Sequence, residues 1–221
     1  MKYKCVIFDL DGTLVDTLED IAYSMNRALE EHGFPPAPLG EYPKMVGWGI
    51  KKLAYLALPS AVREGGAGEA AAEAVAADAS RFYAERPLGC SKPYPGIPEL
   101  LAELRGKKIK TAVLTNKPDR TARLVIGGLF LPGSFDAVYG ERPGIPRKPD
   151  PASAWDLLLE LDSTPRETVF IGDSEIDIET ARAAQCHALG VSWGFRSREI
   201  LEKAGADRII DLPRELLELF S

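Results

Sequence analysis

The stretch CVIFDLDGTLVDT, residues 5–17, runs four apolar residues straight into Asp9 and Asp11, with Asp16 close behind. A carboxylate drawn out of water without a partner is costly, so acids at the mouth of an apolar run call for a cation or a reaction. Asp9 and Asp11 stand two apart on an extended segment, so a side chain and a backbone carbonyl can reach one point from a strand end. Asp173, in GDSEID at 172–177, adds a third oxygen donor. A few oxygen ligands, completed from solvent or substrate, suit octahedral Mg²⁺ rather than zinc. Two further polar groups belong with them: TNK at 115–117 and RKPDP at 147–151. Singly these residues have ordinary readings. Asp177 suits a helix N-terminus, Thr115 a cap, Lys148 a surface position, and Asp16 or Thr17 the N-cap of a following helix. Gly12 suits a tight turn in which Thr13 orients Asp11.

These groups need elements to aim them. Short runs rich in Val and Ile recur at Cys5–Phe8, Thr111–Leu114, Ala137–Tyr139, Val169–Ile171, Ala188–Val191 and Arg208–Ile210. Without alternation, such runs read as parallel strands buried on both faces. Helical patterns separate them, at Ile97–Leu104, Pro118–Ile126, Pro151–Leu161, Ile176–Ala184 and Ser197–Ala204. The expected fold is α/β, a doubly wound, mostly parallel sheet with a Rossmann-like core. In such sheets ligands bind beyond the carboxyl ends of the strands, where the acids, TNK and GDSEID fall. The connection after the first strand is far longer than a crossover requires. It contains helical patterns at Leu18–Glu31, Ile50–Leu58 and the alanine-rich Glu69–Glu85. Residues 17–88 are therefore expected to form an inserted all-helical cap, with 1–16 and 89–221 forming the core.

Bulk properties narrow the partners. The net charge of −6 argues against a nucleic-acid or anionic-membrane binder, and an anionic substrate would need a local positive site. Cys5, Cys90 and Cys186 show no CxxC spacing, so neither a disulfide framework nor a zinc site is expected. Neither His32 nor His187 has a partner at metal-ligand spacing, and His187 reads as a satisfied core residue. The opening residues lack an export signal, and no run approaches a membrane span, so the expectation is a cytoplasmic monomer or homodimer.

Taken in order, DLDGT, TNK, RKPDP and GDSEID resemble the four signature motifs of the haloacid dehalogenase superfamily, in its phosphatase branch. The position of the insertion and VSWGFRSREILEKAGADRIIDLPREL at 191–216 resemble its phosphoglycolate phosphatase group. The resemblance implies Mg²⁺ held by Asp9, Asp11 and Asp173, with Asp177 and Thr13 behind them. It implies Asp9 as nucleophile, forming an aspartyl-phosphate, and Asp11 as the acid that serves the leaving group. Thr115 and the backbone near Asn116 would hold the phosphoryl oxygens, and Lys148 would neutralise phosphate and Asp9.

Asp11 stands where dehalogenases of the superfamily carry tyrosine and phosphonate hydrolases alanine. Ile21 stands where the hexose-phosphate mutase branch carries histidine. Both favour phosphomonoester hydrolysis of a small phosphorylated metabolite, and 2-phosphoglycolate is the substrate that the group resemblance implies and that the basic segment described next would suit. A pyrophosphatase, a broad sugar-phosphate phosphatase, a mutase and a non-catalytic phosphate-binding module are its rivals. Within the insertion, MVGWGIKKL at 45–53 joins a Gly-Trp-Gly turn to paired lysines at a helix start. Cations there oppose the helix dipole, so Trp48, Lys51 and Lys52 are candidates for closing over the site and meeting a substrate carboxylate.

Overall fold

The computed structural model describes residues 3–220. The chain lays down β1 (Cys5–Phe8) and the short β2 (Val15–Asp16), then an all-helical excursion, then β3 (Lys92–Pro93), the antiparallel partner of β2. β4 (Lys110–Pro118), β5 (Ala137–Glu141), β6 (Thr168–Gly172), β7 (His187–Val191) and β8 (Arg208–Ile210) follow. Six of these strands form one sheet in the order β5-β4-β1-β6-β7-β8, and every pairing within it is parallel. The chain winds outward from β1 through β4 to β5, then returns to the other side of β1 for β6. The order reverses at β1, the point beyond whose strand ends sheets of this kind bind their ligands.

Apolar runs without alternation belong in such a sheet because both faces are covered. Cys5 and Ile7 share a core with Ala112, Leu114 and Phe170 and with residues of the later helices such as Leu157 and Ile178. Val6 and Phe8, on the opposite face of β1, are buried just as completely.

By contact the chain divides into two compact units, Met1–Asp16 with Lys92–Ser221, and Thr17–Ser91. The second unit holds α1 (Leu18–Glu31), α2 (Tyr42–Met45), α3 (Ile50–Ala57), α4 (Ser60–Glu64) and α5 (Gly68–Glu85). α5 packs on both α1 and α3. Its alanine-rich sequence buries Ala72, Val75, Ala76, Ala79, Phe82 and Tyr83, a stripe at helical spacing. The sheet unit adds α6 (Ile97–Gly106), α7 (Asp119–Leu129), α8 (Ala152–Glu160), α9 (Glu175–Ala183) and α10 (Arg198–Ala204). No helix among the described residues is long and apolar enough to cross a membrane.

Two local expectations change and a third, the cap of α1, narrows to one of its alternatives. β4 runs on through Thr115–Lys117 to Pro118, with its register against β5 shifting between Leu114 and Pro118. Thr17 occupies the N-cap of α1, while Asp16 lies in β2 opposite Lys92. His187 is half-buried rather than in the core, stacked on Tyr3 and 3.2 Å from the Asp207 carboxylate.

Candidate active site

β1 ends one residue before Asp9, whose backbone N–H still donates to Ile171 O of β6 at 2.9 Å, so the sheet fixes the backbone that carries this carboxylate at the strand's C-terminal end. The chain then turns tightly, Leu14 and Val15 both donating N–H to Leu10 O at 3.0 Å. Gly12 sits in the left-handed region at φ +88°, and a Cβ there would lie 2.4 Å from Asp173 Oδ2. Glycine is required on both counts.

β6 delivers Asp173, and α9 begins immediately behind it. Ser174 caps α9 in a capping box, its N–H (3.1 Å) and hydroxyl (2.6 Å) both donating to Asp177 Oδ2. The other oxygen of Asp177 accepts from Lys148 Nζ at 2.6 Å, and the same ammonium donates to Asp9 Oδ1 at 2.7 Å. Lys148 is held at its backbone as well: Asn116 Nδ2 donates to its carbonyl at 3.0 Å and Asn116 Oδ1 accepts its N–H at 2.9 Å. Thr115, buried at the end of β4, accepts the N–H of Lys117 on Oγ1 at 3.2 Å.

Asp173 is braced from two loops. The Thr13 hydroxyl, expected beside Asp11, donates to Asp173 Oδ1 at 3.2 Å. Phe195 N–H donates to Oδ2 at 2.7 Å. A Cβ on Gly194 would lie 2.2 Å from Asp173 Cβ, and the Trp193 indole N–H donates to Thr13 O at 3.1 Å. The WGF stretch after β7 thus clasps both acid-bearing loops. The sequence marks this stretch only through the resemblance of residues 191–216 to the phosphatase group, without assigning it this role.

Asp9, Asp173 and Asp177 each offer a carboxylate oxygen, all within 4.8 Å of one another, and all three residues are buried. Burial, then the neighbouring carboxylates, push Asp9 up to about 7 against the pull of Lys148. Burial with Asp177 and Asp9 raises Asp173 well above the usual carboxylate range. Burial disfavours the Lys148 cation, yet Asp177 and Asp9 outweigh it and keep that lysine above its ordinary value. Four acids (Asp9, Asp11, Asp173, Asp177) face two ammoniums, Lys117 and Lys148, so the fully ionised cluster has excess negative charge. An oxygen-only, crowded and buried donor set of this kind fits a small divalent cation such as Mg²⁺. The Asp11 carboxylate is paired with Lys117, Nζ to Oδ1 at 2.9 Å.

The structure therefore brings Asp9, Asp11, Thr13, Thr115, Asn116, Lys148, Asp173 and Asp177 together within the sheet unit. Trp48, Lys51 and Lys52 belong to the helical unit. Gly47 and Gly49 take positive φ on either side of the half-buried Trp48, as a Gly-Trp-Gly turn requires. Lys51 is exposed and bonded to Glu73 Oε1 at 2.6 Å, while exposed Lys52 places Nζ 5.0 Å over the Tyr55 ring.

A family model described as haloacid dehalogenase-like hydrolase matches residues 6–191. The chain belongs to that family. Among curated relatives in it, a phosphoglycolate phosphatase of Rhodospirillum rubrum is 37% identical over 211 residues, covering 94% of this chain and 87% of its own length. A phosphoglycolate phosphatase of Haemophilus influenzae is 32% identical over 220 residues, covering 99% and 98%. The crystal structure of a predicted phosphoglycolate phosphatase from Haemophilus somnus superimposes with a TM-score of 0.91 at 27% identity, covering 100% of this chain and 99% of that one. The family's first and last matched segments, around β1 and β7, enclose every strand end that carries a site residue.

Proposed function

We propose that this protein is a Mg²⁺-dependent phosphomonoester hydrolase whose preferred substrate is 2-phosphoglycolate. The observation that carries the reading is Asp9: a carboxylate at the end of the central strand, 2.7 Å from a buried lysine and grouped with Asp173 and Asp177. The names of the full-length relatives supply the substrate.

Asp9 is the nucleophile. One of its oxygens attacks phosphorus, the ester P–O bond breaks, and Asp11 gives its proton to the departing alkoxide. Lys148 lowers the repulsion between Asp9 and the phosphoryl oxygens, which Thr115 Oγ1 and the N–H groups near Asn116 receive. Asp11 then takes a proton from water as the water oxygen attacks phosphorus, which frees phosphate and restores the Asp9 carboxylate. Asp9 and Asp173 would hold Mg²⁺ with the carbonyl of Asp11, and Asp177 would stand behind them. When bound, the ion supplies Lewis-acid neutralisation of phosphoryl charge.

The test is a panel of phosphate esters and pyrophosphate compared by kcat/KM with Mg²⁺. 2-Phosphoglycolate should rank first. Turnover of no member would overturn the reading, and preference for pyrophosphate would replace the substrate. Asp9→Asn should lose about 10³-fold or more in kcat while keeping its far-UV circular dichroism.

A further inference from the structure

Lys117 has no part in the mechanism above, yet it is 8% exposed and directs its ammonium at the Asp11 carboxylate, 2.9 Å away. Burying a lysine is costly, so its placement beside the acid that serves the leaving group calls for a function. β4 reaches this far only because it continues past Leu114 with a shifted register. The neighbouring strand accommodates it at Gly140, where a Cβ would lie 2.7 Å from Lys117 O.

In 2-phosphoglycolate the carboxyl carbon is two bonds from the ester oxygen that Asp11 protonates. A cation in contact with Asp11 is therefore within reach of the carboxylate of a substrate whose ester oxygen Asp11 protonates. An ammonium has three donors and can bridge two carboxylates. Lys148 does so in this same site, between Asp9 and Asp177 at 2.7 and 2.6 Å.

We propose that Lys117 is the specificity-determining residue for substrates with an anionic group next to the phosphoester, bridging Asp11 and the substrate carboxylate. The inference rests on the phosphatase reading. It moves carboxylate recognition from Lys51 and Lys52, whose partners lie in the helical unit, to the strand that also carries Thr115. The selected ligands are phosphoesters of short 2-hydroxy acids, and neutral esters of the same size are disfavoured.

The test compares 2-phosphoglycolate with its amide, which keeps the shape and loses the charge. The unmodified enzyme should favour the acid by about 10- to 100-fold in kcat/KM, the range expected of one charge-assisted contact. Lys117→Met should collapse that ratio toward unity, mainly through KM for the acid, and Lys117→Arg should restore part of it. An enzyme that turns over both substrates equally overturns the proposal without any variant. So does a Lys117→Met enzyme that keeps the ratio, or a ratio that collapses in Lys51→Ala or Lys52→Ala instead. Failure of the unmodified enzyme on both substrates and on the wider ester panel would strike the phosphatase reading itself, a different result from lost discrimination.

Discussion

At the scale of single residues, the site is a concentration of negative charge that the fold holds at a cost. Asp9 is pushed up to about 7 by burial first and by neighbouring acids next, and Asp173 rises for the same reasons. A carboxyl raised in the folded state stabilises the protein fully below its unfolded value, near 4, and loses that contribution as pH climbs through the folded value. In chelator, the wild-type protein should therefore lose stability relative to Asp9→Asn between about pH 4 and 7, by an amount on the order of 4 kcal/mol for this group. Mg²⁺ at pH 7.5 should reverse the order, raising the melting temperature of the wild type well above that of the variant. Thermal melts of both proteins in EDTA and in MgCl₂ across this range check the claim. A wild type that is insensitive to Mg²⁺ and runs parallel to Asp9→Asn at every pH would refute it.

At the scale of elements, a buried carboxylate outside that cluster does purely structural work. Asp20, in the first turn of α1, accepts the N–H groups of Cys90 (3.0 and 2.9 Å) and Ser91 (2.7 Å) and the Ser91 hydroxyl (2.6 Å). It ties the end of the helical unit to its beginning. Asp20→Ala would strand buried donors and should cost about 2–4 kcal/mol in chemical denaturation, with Asp20→Asn recovering part because its carbonyl still accepts. No stretch of sequence announces this clasp, since the partners lie 70 positions apart. The strands were legible for the opposite reason. A parallel strand buried on both faces is a continuous apolar run, and Asp9 and Asp173 stand where such runs end. Resemblance to ordered family motifs named Thr115 and Lys148. Asn116 could be read as a phosphate neighbour, but not as the side chain that holds Lys148 from 32 positions away. Lys117 escaped because its partner depends on the shifted register of β4, which local pattern does not encode.

At the scale of the whole molecule, the three cysteines report separately on the two units. Cys5 in β1 and Cys186 just before β7 lie in the sheet core, and burial pushes both thiols up to about 12. All three are free. The reactive species is the thiolate, so buried, un-ionised thiols should be inert at pH 8 while the sheet stays packed. Cys90 in the helical unit is exposed, but a hydrogen bond to Glu19 raises its thiol above the usual value. A thiol-specific disulfide reagent should therefore modify one cysteine in the native protein, more slowly than a free model thiol. The other two should react only at the rate of global unfolding, or at once in guanidinium chloride. Glu19→Gln should speed the native reaction and leave the slow pair unchanged. Mass mapping that finds Cys5 or Cys186 labelled quickly under native conditions would mean that the sheet core opens far more readily than its packing implies.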